Sequence, residues 1–393
     1  MEKTDSEVIN FVRFPLAVMV VMLHSYVAVQ GFHISQVDYA HLTGTDIYSL
    51  VCITFSHVLT QVAVPMFFFI SGYLFFLGFQ KWDWRKYVKK LKRRIRTLLL
   101  PYISWNTFQA LIIVGIMLLS YFVLGKPLNR IIIWFEEIGG LFGVYWSNQS
   151  SAIVKENMLG WSVLKSYPLL IPMWFIRDLM VTVLLTPLIW WLLKKVPYIT
   201  FLIITFLYIT GAGTPVPGLS FCALLFFAVG GGFSLRDMNF MYVCLRINKW
   251  FLTALFVILG ITSIIYDGRS TNTGQMLLSL WICVALPFMF RIANWYMTRF
   301  PISSNKLSGL SNSTYFIFAF HGVIISYVYT ALWKMLGVVR DGDLLDATYM
   351  NKHSITGIAA YLLTPAVTVA ISVMLYVLVS KILKKKSWIL TGK

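Results

Sequence analysis

Apolar runs of helical length alternate with short polar stretches along the whole chain. Ten of them come near the roughly 20 residues that a helix needs to cross a hydrocarbon core. They lie at about 8–29, 50–79, 97–123, 172–193, 197–212, 219–234, 249–266, 274–292, 314–337 and 355–380. The pattern predicts an all-α fold, a polytopic bundle of about ten transmembrane helices forming one integral-membrane domain over 1–393. The second run is overlong and predicts a tilted helix or an amphipathic first turn; the fifth is short. Between the third and fourth runs, residues 124–171 contain IIIWFEEIGGLFGVYW, apolar enough to pass for an eleventh span. Glu136 and Glu137 fall in its middle, and acidic residues at a span centre are costly. The segment therefore reads as external, lying at the interface or re-entering it. Proline and glycine in GAGTPVPG (211–218) mark an outer turn, and 293–313 is an inner loop. No soluble domain, low-complexity linker or internal repeat is expected.

Composition agrees with a membrane setting. Of the 393 residues, 58% are hydrophobic and 12% charged, where soluble domains carry about 25% charged residues. The formal net charge of +18 would suggest nucleic acid in a soluble protein. Here the charge sits in short loops, so insertion orientation accounts for it and no nucleic-acid partner is expected. Lys3, Arg13, the basic run 81–96, Lys194, Lys195, Arg236, Arg291, Arg299 and the terminal lysines then share one side. That asymmetry predicts both termini on the cytoplasmic side, against a lipid bilayer. The start, MEKTDSEVIN, is polar and lacks a basic n-region and a cleavage site, so no cleaved signal is expected. Cys52, Cys222, Cys244 and Cys283 lie singly in or beside apolar runs, without the paired spacing of a disulfide framework or a zinc site.

Candidate chemistry begins with two residues that hydrocarbon should reject. Arg13 and His24, in VRFPLAVMVVMLHS, stand eleven positions apart. On a helix that places them within about 20° of one face and about 16 Å apart along the axis. Ionisable groups within a span usually face a protein interior or a wet cavity. In PMFFFISGYLFF, Ser71 and Gly72 interrupt an apolar helix, and Gly72 allows a backbone or ligand to approach closely. Small residues in spans also serve helix packing. The run KWDWRKYVKKLKRRIRTLLLPYISWN suits anionic lipid. Within it Arg93 and Arg96, three apart, lie on one helical side, and guanidinium forks suit phosphate oxygens.

Further along, PMWFIRDLM places Arg177 and Asp178 roughly 8 Å inside the outer boundary, at the depth of His24. As helix neighbours they point about 100° apart and need not pair with each other. STYFIFAFHG carries His321 some seven residues from the inner end of its run, nearer the depth of Arg13. His57 lies in the outer part of the second run, and His33, His41 and His353 in loops. The external segment carries Trp134, Tyr145, Trp146 and Trp161. They form an aromatic belt at headgroup level or a platform for sugar rings, with Glu136, Glu137 or Asn148 bonding hydroxyls.

Taken together, these pieces resemble the acyltransferase-3 family of multi-pass bacterial membrane enzymes, over about 8–380. The family's pattern of Arg or Lys, ten intervening residues, then His in the first span is matched by Arg13 and His24. Its Arg-x-x-Arg element is matched by Arg93 and Arg96. FFFISGY, RTLLLPYISWN, WFIRDL and the late YFIFAFH histidine are also similar. The resemblance implies an enzyme of the cytoplasmic (inner) membrane. It would move an acyl group, acetyl or alternatively succinyl, from coenzyme A to a hydroxyl of a cell-surface or lipid-linked carbohydrate, with no permanently bound cofactor. Unlike two-domain members, the chain ends in KILKKKSWILTGK.

With that chemistry implied, depth assigns the roles. Arg13, Ser71, Gly72, Arg93, Arg96 and His321 fall in the inner half and would hold acyl-CoA. His24, with Arg13 and Arg177, would form the catalytic set. Asp178, Trp134, Glu136, Glu137 and Trp146 would bind the acceptor. The 16 Å between Arg13 and His24 is roughly the reach of a pantetheine arm. A transporter or flippase for a small polar solute or lipid-linked sugar is the rival reading, since charges at two depths also suit a translocation path. No inverted repeat supports it.

Overall fold

A computed structural model describes residues 3–214, 216–267, 271–341 and 344–392. Each of the ten apolar runs contains a helix, and the chain is a multi-pass membrane protein. Six helical stretches are long and apolar enough to cross a bilayer: Asp5–Leu23, Gly44–Phe76, Trp84–Leu124, Asn272–Arg299, Pro301–Met335 and Ser354–Leu383. Two bent pairs make eight if each counts as one span: Ile171–Leu184 with Thr186–Lys195, bent by 61°, and Phe221–Leu235 with Phe240–Arg246, bent by 104°. The remaining two runs form shorter helices, Pro197–Ile209 and Lys249–Ile265. Six to eight of the ten runs, among the described residues, thus have the length and composition of a crossing.

The breaks have local causes. Pro187 stands in the first turn of Thr186–Lys195, and its ring and missing N–H end the helix before it. At the sharper bend Asp237 has a φ of +50°, and Asn239 restarts the chain by capping Phe240–Arg246 through the Tyr242 N–H. The long second stretch is not one α-helix. Gly44–Cys52 opens under a capping box of Thr43 and Asp46. It then widens to a π-helix over Ile53–Val58 and tightens to 3₁₀ over Leu59–Val62 before Ala63–Phe76 resumes. The Ser56 carbonyl freed by this change accepts from Thr60 Oγ1 at 3.1 Å and Gln61 Nε2 at 2.7 Å, so the irregular backbone is satisfied within the protein.

The opening helix, Lys3–Leu23, runs through the middle of the bundle. Its buried Asp5 accepts from the Tyr73 hydroxyl at 2.9 Å. It begins and ends earlier than the sequence pattern suggests, so Arg13 lies mid-helix and His24 just past the last helical residue. The closest helix pairing is between 63–76 and 221–235. A Cβ at Gly72 would stand 2.0 Å from the Phe227 carbonyl oxygen, and one at Gly230 would stand 2.0 Å from that of Phe69. Backbone meets backbone at both points, where only glycine fits. Gly72→Ala should therefore destabilise the protein by about 1–3 kcal/mol through overpacking. The measurement is thermal unfolding in detergent. An unchanged midpoint would mean the two helices can part at no cost.

The all-α expectation needs one correction. Residues 124–171 hold two short helices, Arg130–Glu137 and Gly140–Tyr145, followed by an antiparallel hairpin of Ile153–Glu156 and Ser162–Lys165. Neither helix is long enough to cross. The hairpin closes on a tight turn. Asn157 Oδ1 accepts from the Leu159 and Trp161 N–H groups, each at 2.9 Å, and Gly160 takes a φ of +74°. A second, two-residue ribbon pairs Arg340–Asp341 with Leu344–Leu345, and Val29 bridges to Leu345.

Candidate active site

His24 opens onto a cavity of about 650 Å³. The end of the opening helix, the 59–65 turn and the starts of the 174–184, 221–235 and 272–299 helices surround it. Its polar lining includes His24, Gln61, Asp178, Ser220 and Gln275. Over it lies the hairpin, whose cavity face presents Ile153, Lys155, Val163 and Lys165, residues brought to one side by the register Ile153↔Lys165 and Lys155↔Val163. Val163 rests on Gly213, and residues 211–214 and 216–220 complete the roof.

The π-helical stretch fixes where His24 stands. Ser56 Oγ donates to the Met22 carbonyl at 2.9 Å and lies 2.8 Å from the Tyr361 hydroxyl, tying the last turn of the opening helix to two other spans. The His24 N–H donates to the Val21 carbonyl at 3.1 Å, and that of Ser25 to Met22 at 3.1 Å, as the helix tightens and unwinds. The His24 ring is then half-buried at the cavity wall. It packs on His321, with ring centroids 5.3 Å apart and planes at 35°.

Arg177 and Asp178 do pair, although their spacing left this open. Nε and Nη2 of Arg177 donate to one carboxylate oxygen of Asp178, at 3.1 and 3.0 Å. Both residues are buried. The guanidinium reaches round its own backbone because two further acceptors fix it from the other side. Nη1 donates to the Trp146 carbonyl at 2.6 Å and to the Ser166 carbonyl at 3.2 Å. Trp146 precedes the hairpin and Ser166 follows it, so one arginine pins both ends of the roof to the 174–184 helix. Arg177 was expected to act on reactants; most of its donors are instead committed to protein acceptors. Asp178 lines the cavity, and Trp146 sits beside it with its ring 5.8 Å from the guanidinium.

Three turns along the opening helix from His24, Arg13 joins a basic group. Arg94 lies in the electrostatic field of both Arg93 and Arg13. Among the described residues no acidic side chain forms an ion pair with any of the three. Arg94, which the Arg-x-x-Arg spacing passes over, is thus the arginine of this run whose charge feels that of Arg13. A π-helical turn at Ile95–Leu99 follows it and shifts the phase of the helix, and Arg96 stacks on Trp388 at 4.7 Å.

Several expected site residues lie elsewhere. Gly72 is filled by the Phe227 carbonyl and leaves no room for a donor. Ser71 is half-buried beside it and does not line the cavity. His321 is at the His24 level, not that of Arg13. Trp134 lines a separate apolar pocket of about 160 Å³ with Leu111 and Val114, and Glu136 and Glu137 are exposed on the same short helix. These three do not reach the cavity, because the two glycines at 139 and 140, both with positive φ, turn the chain between them and the roof. Gln61, Ser220 and Gln275 also line the cavity; isolated polar residues at span ends carry no sequence signal of their own.

A model of the acyltransferase domain family matches residues 7–377 of the chain. The succinoglycan biosynthesis protein ExoH of Rhizobium meliloti (strain 1021) is 27% identical over 296 residues, covering 71% of this chain and 69% of that relative. No solved structure matches it.

Proposed function

The chain belongs to the acyltransferase-3 family, and from that premise we propose that it moves a small acyl group, acetyl or alternatively succinyl, from cytoplasmic acyl-CoA to a hydroxyl of a cell-surface or lipid-linked carbohydrate. The observation that carries this reading is the pairing of two sites on one helix. His24 opens onto a roofed cavity, and about 16 Å away Arg13 sits in a basic group with Arg93 and Arg94. With both termini in the cytoplasm, the anionic nucleotide of acyl-CoA lies on the arginines, its arm runs beside the opening helix, and the thioester meets the acceptor near His24. The similarity to ExoH, a succinoglycan biosynthesis protein, supports a polysaccharide acceptor.

In this scheme His24, as neutral imidazole, removes the acceptor hydroxyl proton. The alkoxide oxygen attacks the thioester carbonyl. The tetrahedral intermediate collapses with loss of the CoA thiolate, which takes the proton back from His24. Asp178 and the cavity face of the hairpin hold the acceptor, and Arg177, with the Trp146 ring beside it, keeps that roof in place.

Two measurements test the reading. Purified protein should bind acyl-CoA, and surface polysaccharide from cells with and without the protein should differ by an acetyl or succinyl mass. Absence of both effects overturns it. Arg94→Gln should raise the KM for acyl-CoA at least roughly tenfold, since a charge-assisted hydrogen bond contributes about 1.5–3 kcal/mol. An unchanged KM would remove Arg94 from the donor site. The two bent helix pairs favour a transporter, whose broken helices line the path. Here both breaks, at Leu185 and at 236–239, lie far along their helices from the cavity residues Arg177 and Phe221. A transporter would move solute without consuming thioester.

A further inference from the structure

We infer that His321 is the positioning partner of His24, accepting a hydrogen bond from its ring and turning its other nitrogen toward the cavity. This rests on the acyl-transfer reading above and adds a residue to it.

The argument begins with tautomers. His321 is fully buried. Its Nδ1 lies 3.1 Å from the Ile317 carbonyl. A carbonyl only accepts, so Nδ1 carries the proton and Nε2 of the neutral ring presents a lone pair. That Nε2 is buried and has no hydrogen-bond partner among the described residues. An acceptor left so costs about 1–3 kcal/mol, and such a group calls for a donor. Two rings pack on His321: Phe318, at 6.0 Å, which has no polar hydrogen, and His24, at 5.3 Å. At a centroid separation of 5.3 Å, ring nitrogens turned toward each other would stand about 3 Å apart, within hydrogen-bond distance. His321 itself does not line the cavity, whereas His24 and Phe318 do. It stands behind the base.

The consequence is chemical. Donating to His321 fixes which His24 nitrogen is free to take the acceptor proton, and the same bond strengthens when His24 becomes imidazolium. An orienting carboxylate plays this part behind the histidine of hydrolase triads. A neutral imidazole does it without placing a second charge in the span.

The test compares His321→Gln with His321→Asn in the full chain. The glutamine side chain reaches the ε position and retains an acceptor there. The asparagine keeps only the contact to Ile317. Transfer from acetyl-CoA and from succinyl-CoA to isolated surface polysaccharide is measured for both, with His24→Ala alongside. Expected are a kcat for His321→Asn lower by about 10²-fold, substantial recovery in His321→Gln, and an unchanged KM for acyl-CoA in both. Equal kcat in the two variants, or a change confined to KM, overturns the inference. If His24→Ala transfers as well as the original, the acyl-transfer reading itself fails and this one with it. Should either variant not fold, ¹⁵N-histidine spectra of the unaltered protein decide: His24 in a single tautomer supports the pairing, and a mixture of tautomers overturns it.

Discussion

Replacing His24 by alanine is expected to lower acyl transfer by about 10²–10⁴-fold, the range that a positioned general base contributes. Stability should fall by no more than about 1–3 kcal/mol, the cost of leaving the buried His321 Nε2 without a donor. The side chain lies beyond the end of the opening helix and is half-buried at a cavity wall. The ties that hold this turn run through Ser56 and the backbone, not through the imidazole. The comparison needs equal amounts of folded protein in the membrane and the acyl content of the polysaccharide as readout. Near-original acylation by the alanine variant would end the scheme. Burst kinetics with a labelled thioester separate direct transfer from a route through acyl-His24.

Arg177→Met should have the largest effect on stability, a loss of about 3–5 kcal/mol, because Asp178 stays behind as an unpaired buried charge. It should also release the roof. The Trp146 and Ser166 carbonyls lose their common donor, so protease cleavage within 147–165 should rise and acyl transfer should fall. Adding Asp178→Asn to Arg177→Met removes the stranded charge and should recover part of the stability, but not the hold on the hairpin. Thermal unfolding and limited proteolysis read the two effects separately. A variant that melts and resists protease as before, yet transfers nothing, would return Arg177 to a direct role on the reactants.

The two arginine sites differ in how much of them could be read in advance. Arg13 and His24 stand out because charge and imidazole are costly inside an apolar run, and that cost is written in the local pattern. Arg177 stands out for the same reason, but its task depends on Trp146 and Ser166, which only the short helix Gly140–Tyr145 and the hairpin bring to it. Depth counted along each run misplaced His321. Its helix continues a long stretch from Pro301 to Met335, so distance from the edge of the apolar run did not measure depth in the bundle. Gly72 shows the reverse failure. Its smallness fits a ligand or a neighbouring helix equally well, and only the Phe227 carbonyl beside it decides.

What the chain determines locally is that it lives in a membrane, which segments are helical, and which few side chains are too polar to be there without a reason. Hydrophobic length and the cost of buried charge act residue by residue, so they are legible without a fold. Tertiary structure alone decides that His24 meets His321, that Arg94 lies in the field of Arg13 while Arg96 stacks on Trp388, and that a hairpin covers the cavity. Those are contacts between segments far apart in sequence. They follow from where bends, π-turns and glycine contacts place each helix, and no single run carries that information.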